Sequence, residues 1–193
     1  MGNFTDVLRG ERHRPRSGRS APCALCLCGK IFVDMTIERI NSPVGVLTVV
    51  TDSRALRSIL FGESPELGGP SEPPSPVHAD AIARLGAYFD GDRTAIDAIA
   101  VEPAGTPFQR QVWLMLRRIS VGTTWSYRQL AQRVERPAAI RAVGAANGAN
   151  PIPIVLPCHR VIGSDGRLVG YGGGMDRKKW LLAHEGAVSS PLW

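Results

Sequence analysis

Residues 151–163 read Pro151-Ile152-Pro153-Ile154-Val155-Leu156-Pro157-Cys158-His159-Arg160-Val161-Ile162-Gly163. An apolar run bracketed by prolines delivers one cysteine, followed at once by a histidine and an arginine. Proline removes a backbone donor and restricts the residue before it, so the run is a stiffened approach and not an ordinary strand. The thiolate is the nucleophile, and an unperturbed thiol with a pKa of about 8.5 is only about 3% ionised at pH 7. A neighbouring base and local positive charge raise that fraction, so Cys158 is expected to react through an activated thiolate. On Cys-His alone, the commoner alternative is a buried structural cysteine.

Working upstream, Ala149-Asn150-Pro151 is turn chemistry, because asparagine bonds neighbouring backbone groups. Before it, Pro137 is expected at N1 of a helix running from Ala138 to about Asn147, built almost wholly of small residues: Ala138, Ala139, Ala142, Gly144, Ala145 and Ala146. A preceding helix is capped by Ser126 and carries Tyr127, Leu130, Ala131 and Val134, with Arg128 and Arg133 outward. Two short helices joined by a tight turn through Arg136 suggest a helix-turn-helix. A helix without bulk can bring its backbone close to another surface, either a DNA groove or a neighbouring helix. Further upstream, Thr106-Pro107-Phe108 opens a helix that Val121-Gly122 ends. Its apolar stripe is Phe108, Val112, Met115, Leu116 and Ile119, and Arg110, Arg117 and Arg118 are expected to face outward.

Downstream of Cys158 come a turn at Ser164-Asp165-Gly166 and the glycine-rich run Gly170-Tyr171-Gly172-Gly173-Gly174. Beside a reactive cysteine, such a run can wall a pocket where a flat group slides close to backbone. The last helix is read from Asp176, with Gly186 as its stop. Glu185 sits at its C-terminal end, where the helix dipole disfavours a carboxylate, which marks it as a candidate paired acid.

Residues 141–150, 151–163, 170–174 and 180–186 together resemble the O6-alkylguanine-DNA alkyltransferases, whose Pro-Cys-His-Arg-Val signature is matched by residues 157–161. The resemblance runs from about Ile37 to Gly186 and is densest from Phe108 onward. It implies that Cys158 accepts the alkyl group irreversibly in a single turnover. His159 takes the thiol proton through a water, Glu185 orients and charges that histidine, and Asn150 braces the turn before the cysteine segment. Tyr127 pushes the target phosphate, Arg141 enters the base stack in place of the flipped nucleotide, and Arg128, Arg136 and Ser164 contact DNA. Tyr171, Gly172 and Gly173 form the guanine pocket. At Gly172 some relatives have a serine able to donate to O6. The substrate implied is double-stranded DNA bearing O6-alkylguanine, with O4-alkylthymine a poorer substrate. No cofactor, metal or membrane is implied, and a cytoplasmic monomer is expected. The implied fold is an α/β N-terminal subdomain, a short β-meander plus helix of ribonuclease-H-like type, followed by a mostly α domain with a winged-helix-like helix-turn-helix. Two alternatives come from other classes. A lesion-marking, alkyltransferase-like DNA binder would lack the acceptor cysteine, and a cysteine hydrolase would need an oxyanion hole and an acyl substrate.

Charge distribution agrees with a polyanion partner. Over the 193 residues the formal net charge is +6, but residues 31–104 carry five Lys/Arg against eleven Asp/Glu, and residues 105–193 twelve against four. A basic half behind an acidic one points to nucleic acid; a solvated basic face is the bland alternative. Of the four cysteines only Cys158 lies outside the first 34 residues, which is no disulfide framework and fits a reducing cytoplasm. Residues 1–34 read as a disordered extension, with a start assigned too early, since Met35 directly precedes the recognisable part. Cys23, Cys26 and Cys28 with His13 form a weak zinc alternative there. The expected organisation is 1–34 extension, 35–103 scaffold, 104–187 active domain and 188–193 tail. In the scaffold, Ile37 and Ile40, residues 46–51 and residues 55–61 make three short strands. A Pro/Gly/Ser-rich loop follows over 62–76, then a helix over 80–89. Nothing up to Glu102 is expected to carry chemistry.

Overall fold

In the computed structural model, residues 35–64, 67 and 74–187 are described, so the readings made on residues 1–34 and on the tail lie outside them. Three strands, β1 (Thr36–Ile40), β2 (Leu47–Thr51) and β3 (Leu56–Phe61), form an antiparallel sheet in the order β1-β2-β3. The β1–β2 turn is held by Ser42, whose hydroxyl accepts the Val44 N–H (3.3 Å) and donates to the Gly45 carbonyl (2.6 Å). Gly45 itself sits at φ 98°, a conformation that favours glycine. Strand β2 is buried along its whole length, and its two threonines are satisfied inside: Thr48 donates to the Gly62 carbonyl (2.8 Å), and Thr51 bonds His78 Nδ1 (2.8 Å). Pairing of β2 with β3 is irregular between Val50 and Thr51.

Helix α1 (Pro76–Phe89) covers this sheet with the stripe His78, Ala81, Leu85 and Tyr88. It starts four residues before the sequence pattern predicts, because Ser75 accepts the His78 N–H and Pro76 occupies the first turn. That cap is hidden in sequence by the Pro/Ser-rich run around it.

Helix α2 (Pro107–Leu116) opens on a full capping box between Thr106 and Gln109 and buries Val112, Trp113 and Leu116. It ends at Leu116, short of Val121-Gly122. Arg117 is not outward: it is half-buried and donates to the carbonyls of Ile99 (3.1 Å), Ile96 and Asp97, stitching the helix end to the preceding segment. Helix α3 (Tyr127–Arg133) repeats the capping box with Ser126 and Gln129, and Arg133 lies over the Trp125 ring at 3.8 Å. Helix α4 (Ile140–Gly148) starts later than Pro137. Glu135 takes a left-handed φ of 58°, Pro137 and Ala138 form a turn, and Ala139 is an N-cap without a side-chain bond. Val143, Ala146 and Asn147 face the core, while Arg141, Ala142 and Ala145 are exposed. Two short parallel strands, β4 (Trp125–Ser126) and β5 (Val161–Ile162), join the start of α3 to the segment after Cys158. Helix α5 (Met175–His184) starts one residue before Asp176, with Gly174 at φ 90° before it and Gly186 at φ 74° after it.

One cluster of buried apolar side chains runs through both halves, from Leu47, Leu56 and Leu85 to Trp113, Leu156 and Leu181. Within it the Trp113 indole N–H donates to the Ala146 carbonyl (2.7 Å), fixing α2 against α4. Among the described residues no helix is long and apolar enough to cross a membrane.

Candidate active site

The approach to Cys158 is a clamped loop. Asn150 accepts the Ile152 N–H through Oδ1 (3.0 Å) and donates from Nδ2 to the Leu156 carbonyl (2.7 Å), closing residues 150–156 on themselves. Ile154 takes a φ of 76°, costly for a β-branched residue and affordable only because its surroundings are fully packed. The loop is tied to β3, since the Pro151 carbonyl accepts from the Ile59 N–H (2.9 Å) and the Ser58 hydroxyl (3.1 Å). Pro157 then turns the chain into a single 3-10 turn, Cys158–Arg160.

Cys158 is 5% exposed and borders a cavity of about 330 Å³. Tyr171, Gly172 and Gly173, the residues expected to wall a pocket, line that cavity together with Asn147 and Asn150. Ile59, Phe61 and Ser64 line it as well, which corrects the expectation that nothing before Glu102 takes part. Phe61 meets the Tyr171 ring edge-on at a centroid distance of 6.1 Å. The Tyr171 hydroxyl is buried with no protein partner, and burial raises its pKa, so it remains a donor. A Cβ on Gly173 would come within 2.5 Å of the Phe61 ring, whereas one on Gly172 would meet only the Gly148 carbonyl at 3.5 Å. Gly173 is thus required by the packing, and Gly172 leaves room for a side chain.

The thiol itself departs from expectation. Burial pushes Cys158 up to about 11, although the Asn150 side chain and the Lys178 charge pull the other way. Near neutral pH the group is therefore a protonated thiol. Lys178, fully buried, donates to the carbonyls of Val161 (2.6 Å) and Val169 (2.9 Å), and burial brings it down to about 8.

His159 is fully buried, and its Nε2 lies 3.0 Å from Glu185 Oε1. Burial lowers its pKa despite the bond and charge of Glu185, so the ring is neutral at rest. With Nε2–H donated to a carboxylate, the lone pair is on Nδ1, the ring atom that has no protein partner. Glu185 caps the C-terminal end of α5, is 2% exposed, and is held by four bonds. Arg160 forks onto it with Nε to Oε2 (2.7 Å) and Nη2 to Oε1 (2.9 Å), and Tyr88 donates its hydroxyl to Oε1 (2.8 Å) alongside His159. Burial alone would raise this carboxyl, but His159 and Arg160 outweigh it and keep it ionised well below the usual range. The sequence pattern assigns no role to Arg160, Tyr88 or Lys178. Arg160 lies in the signature itself, whereas Tyr88, 97 residues from Glu185, has no local signal.

The remaining sequence-predicted residues lie apart from the cavity lining. Arg128, Arg136, Arg141 and Ser164 are exposed, with Arg141 in the first turn of α4. The Tyr127 ring is half-buried and packs over Gly144, where a Cβ would stand 3.7 Å away. Geometry therefore joins Cys158, Asn150, Tyr171, Gly172 and Gly173 in one cavity and His159 and Glu185 in one buried relay, with four polar groups on the surface.

A family described as "6-O-methylguanine DNA methyltransferase, DNA binding domain" matches residues 107–187. The chain is 46% identical to the methylated-DNA--protein-cysteine methyltransferase of Mycolicibacterium paratuberculosis over 149 residues, 76% of this chain and 89% of that protein. It is 58% identical to the Salmonella typhimurium protein of the same name over 103 residues, 53% of this chain, and there it spans 60% of the relative's length. Among solved structures it is similar to Mycobacterium tuberculosis OGT in complex with DNA, with a TM-score of 0.69 and 39% identity over 78% of this chain and 92% of that one.

Proposed function

The chain belongs to the methylated-DNA--protein-cysteine methyltransferase family, and we propose that it repairs duplex DNA by moving the alkyl group of O6-alkylguanine, and less efficiently that of O4-alkylthymine, onto its own Cys158. The observation that carries this reading is the buried Cys158 thiol opening on a cavity, next in sequence to a neutral histidine whose free nitrogen has no protein partner and whose other nitrogen is fixed by an ionised carboxylate.

A water bridging the thiol and His159 Nδ1 takes the thiol proton as it gives its own to the ring, and Glu185 stabilises the imidazolium. The thiolate attacks the alkyl carbon opposite O6. The S–C bond forms as the O6–C bond breaks, and the electron pair leaves on guanine. The Tyr171 hydroxyl donates a hydrogen bond to the departing base, and the proton held on His159 passes through water to guanine, so guanine is released neutral, the histidine returns to its neutral form, and the thioether keeps the alkyl group. No step regenerates the thiol, which makes the reaction single-turnover and independent of a soluble cofactor. General-base removal of the proton accounts for a thiol that rests un-ionised, since thiolate is needed only when substrate is in place.

A stacked base cannot present its O6 substituent to a buried sulfur, so the nucleotide must be flipped into the cavity. The helix pair α3–α4 supplies the DNA-binding face. Its outward side carries Arg141, Ala142 and Ala145, with Arg128, Arg136 and Ser164 around it, and supports close approach to the minor groove without sequence preference. Arg141 fills the vacated position, Tyr127 turns the phosphate, and Asn150 holds the nucleophile loop. In this reading residues 35–103 are a ribonuclease-H-like scaffold and residues 104–187 a winged-helix-like active domain, acting as a cytoplasmic monomer.

The test is intact mass before and after mixing with a duplex containing O6-methylguanine. One methyl group per chain, on the peptide that carries Cys158, is expected without any soluble donor. Multiple turnover, or dependence on an added methyl donor, overturns the proposal.

A further inference from the structure

The last turn of α1 carries one hydroxyl into the buried relay. We propose that Tyr88 is a positioning residue of the transfer reaction: its hydroxyl, donated to Glu185 Oε1, fixes the carboxylate against His159 and sets how readily that histidine takes the thiol proton. The inference rests on the alkyl-transfer reading above.

Tyr88 is fully buried, and its ring is held edge-on by Phe89 (5.2 Å) and His184 (5.0 Å). His184 Nε2 also bonds the Tyr88 carbonyl (2.8 Å), so both backbone and ring of Tyr88 are anchored to α5. The phenol is thereby fixed with its one donor 2.8 Å from Oε1. That oxygen also receives His159 Nε2 (3.0 Å) and Arg160 Nη2 (2.9 Å), while Oε2 receives Arg160 Nε (2.7 Å). Burial and the nearby carboxylate keep the phenol protonated, so it donates throughout the working pH range. Arg160 already neutralises Glu185, and packing alone would be met by phenylalanine. What the hydroxyl adds is a neutral donor on the same oxygen that faces the base.

Such a donor has a defined electronic effect. A hydrogen bond to the carboxylate draws charge away from Oε1 and weakens its pull on the imidazolium. Without it, His159 holds a proton more firmly and is already charged, hence useless as a base, at a higher pH. The other titratable and charged groups around Tyr88 and the relay are Arg160, Lys178, Tyr171 and His184, the last packed against the Tyr88 ring. All four are unchanged in a Tyr88→Phe variant, so a shift of the profile reports the hydroxyl.

The experiment measures the single-turnover rate of methyl transfer from O6-methylguanine duplex for the parent and Tyr88→Phe, from about pH 5 to about pH 9. Thermal melting and duplex affinity are followed in parallel. The acid limb is expected to move to higher pH by about half a unit or more, the size set by losing one hydrogen bond to a charged group. The plateau rate and duplex affinity are expected to stay within about threefold. An unshifted acid limb overturns the positioning role, whether the rate is unchanged or uniformly lower. A Tyr88→Phe protein that does not fold also overturns it, by making the hydroxyl a structural support. A parent that acquires no methyl group removes the alkyl-transfer reading and this inference with it; a parent that reacts while the profile stays fixed removes only the inference.

Discussion

The sheet region, residues 36–61 with α1, and the helical region from α2 onward are built to different standards. In the sheet region every turn of chain follows local rules. The buried polar side chains are paired: Thr48 with the Gly62 carbonyl, Thr51 with His78, His78 with Glu38 (2.9 Å), and Ser58 with the Pro151 carbonyl. In the helical region, among the described residues, lie both non-glycine residues with positive φ, Glu135 and Ile154. The three buried polar atoms without a protein partner, Asn147 Oδ1, His159 Nδ1 and the Tyr171 hydroxyl, are also there. Charge divides the same way, with an acidic excess over residues 31–104 and a basic one over 105–193. Strain and unmet hydrogen bonds are destabilising and persist where surrounding packing over-determines them, so they gather where chemistry needs free donors and acceptors. The sheet region is the support that holds this strain. Ile59 and Phe61 on the cavity and Tyr88 on the relay are points where the support reaches the site.

The largest break in this comparison is expected at Glu185. Glu185→Gln keeps a group able to meet His159 but removes the charge that stabilises the imidazolium, and it leaves Arg160 buried without a counter-ion. Transfer should slow on the order of 10²-fold or more, while duplex affinity changes far less. Loss of one partner of a buried ion pair also costs about 3–5 kcal/mol of stability. The rate is therefore read at low temperature on protein shown to be folded by circular dichroism. Parent-like transfer would remove Glu185 from the relay.

A smaller effect is expected at Arg141, on the exposed face of the helical region. Arg141→Ala should lower transfer in duplex DNA about tenfold or more, since extruding a base costs a few kcal/mol that a stacked guanidinium partly offsets. Reaction with free O6-benzylguanine should be nearly unchanged, and a lesion opposite a mismatch should recover part of the loss. Equal losses on duplex and free base would assign Arg141 to the cavity instead. A uniform loss of affinity with a salt slope smaller by about one would make it a simple phosphate contact.

The smallest effect sharpens the seam between the regions. Gly173→Ala drives a methyl into the Phe61 and Tyr171 rings and should cost about 1–3 kcal/mol. Gly172→Ala, one residue away, meets only a carbonyl at contact distance and should stay within about 0.5 kcal/mol. Chemical denaturation of the two variants checks this; equal midpoints would mean that Phe61 does not press on the glycine loop.

Cys158, His159 and Glu185 stand out as candidates because they sit in or near short local signals: Pro157-Cys158-His159-Arg160 and a carboxylate at the wrong end of a helix. The strands and the helix starts at Thr106 and Ser126 were legible for the same reason, since alternation and cap residues act within a few residues, whereas the Gln109 and Gln129 halves of the capping boxes came only with the structure. The errors were also local in origin. Proline at 137 pointed to a helix start, but Glu135 had already turned the chain, and Arg117 had the periodicity of an exposed residue until carbonyls of the preceding segment took its donors. By itself, the sequence determined which groups are candidates for chemistry and which segments carry them, because side-chain chemistry and backbone preference are properties of neighbours in the chain. Only the tertiary structure decided that Tyr88 and Phe61 join the site and that Cys158 rests as a thiol near 11. Hydrogen bonding across 97 residues and the desolvation of a sulfur depend on what packing brings together.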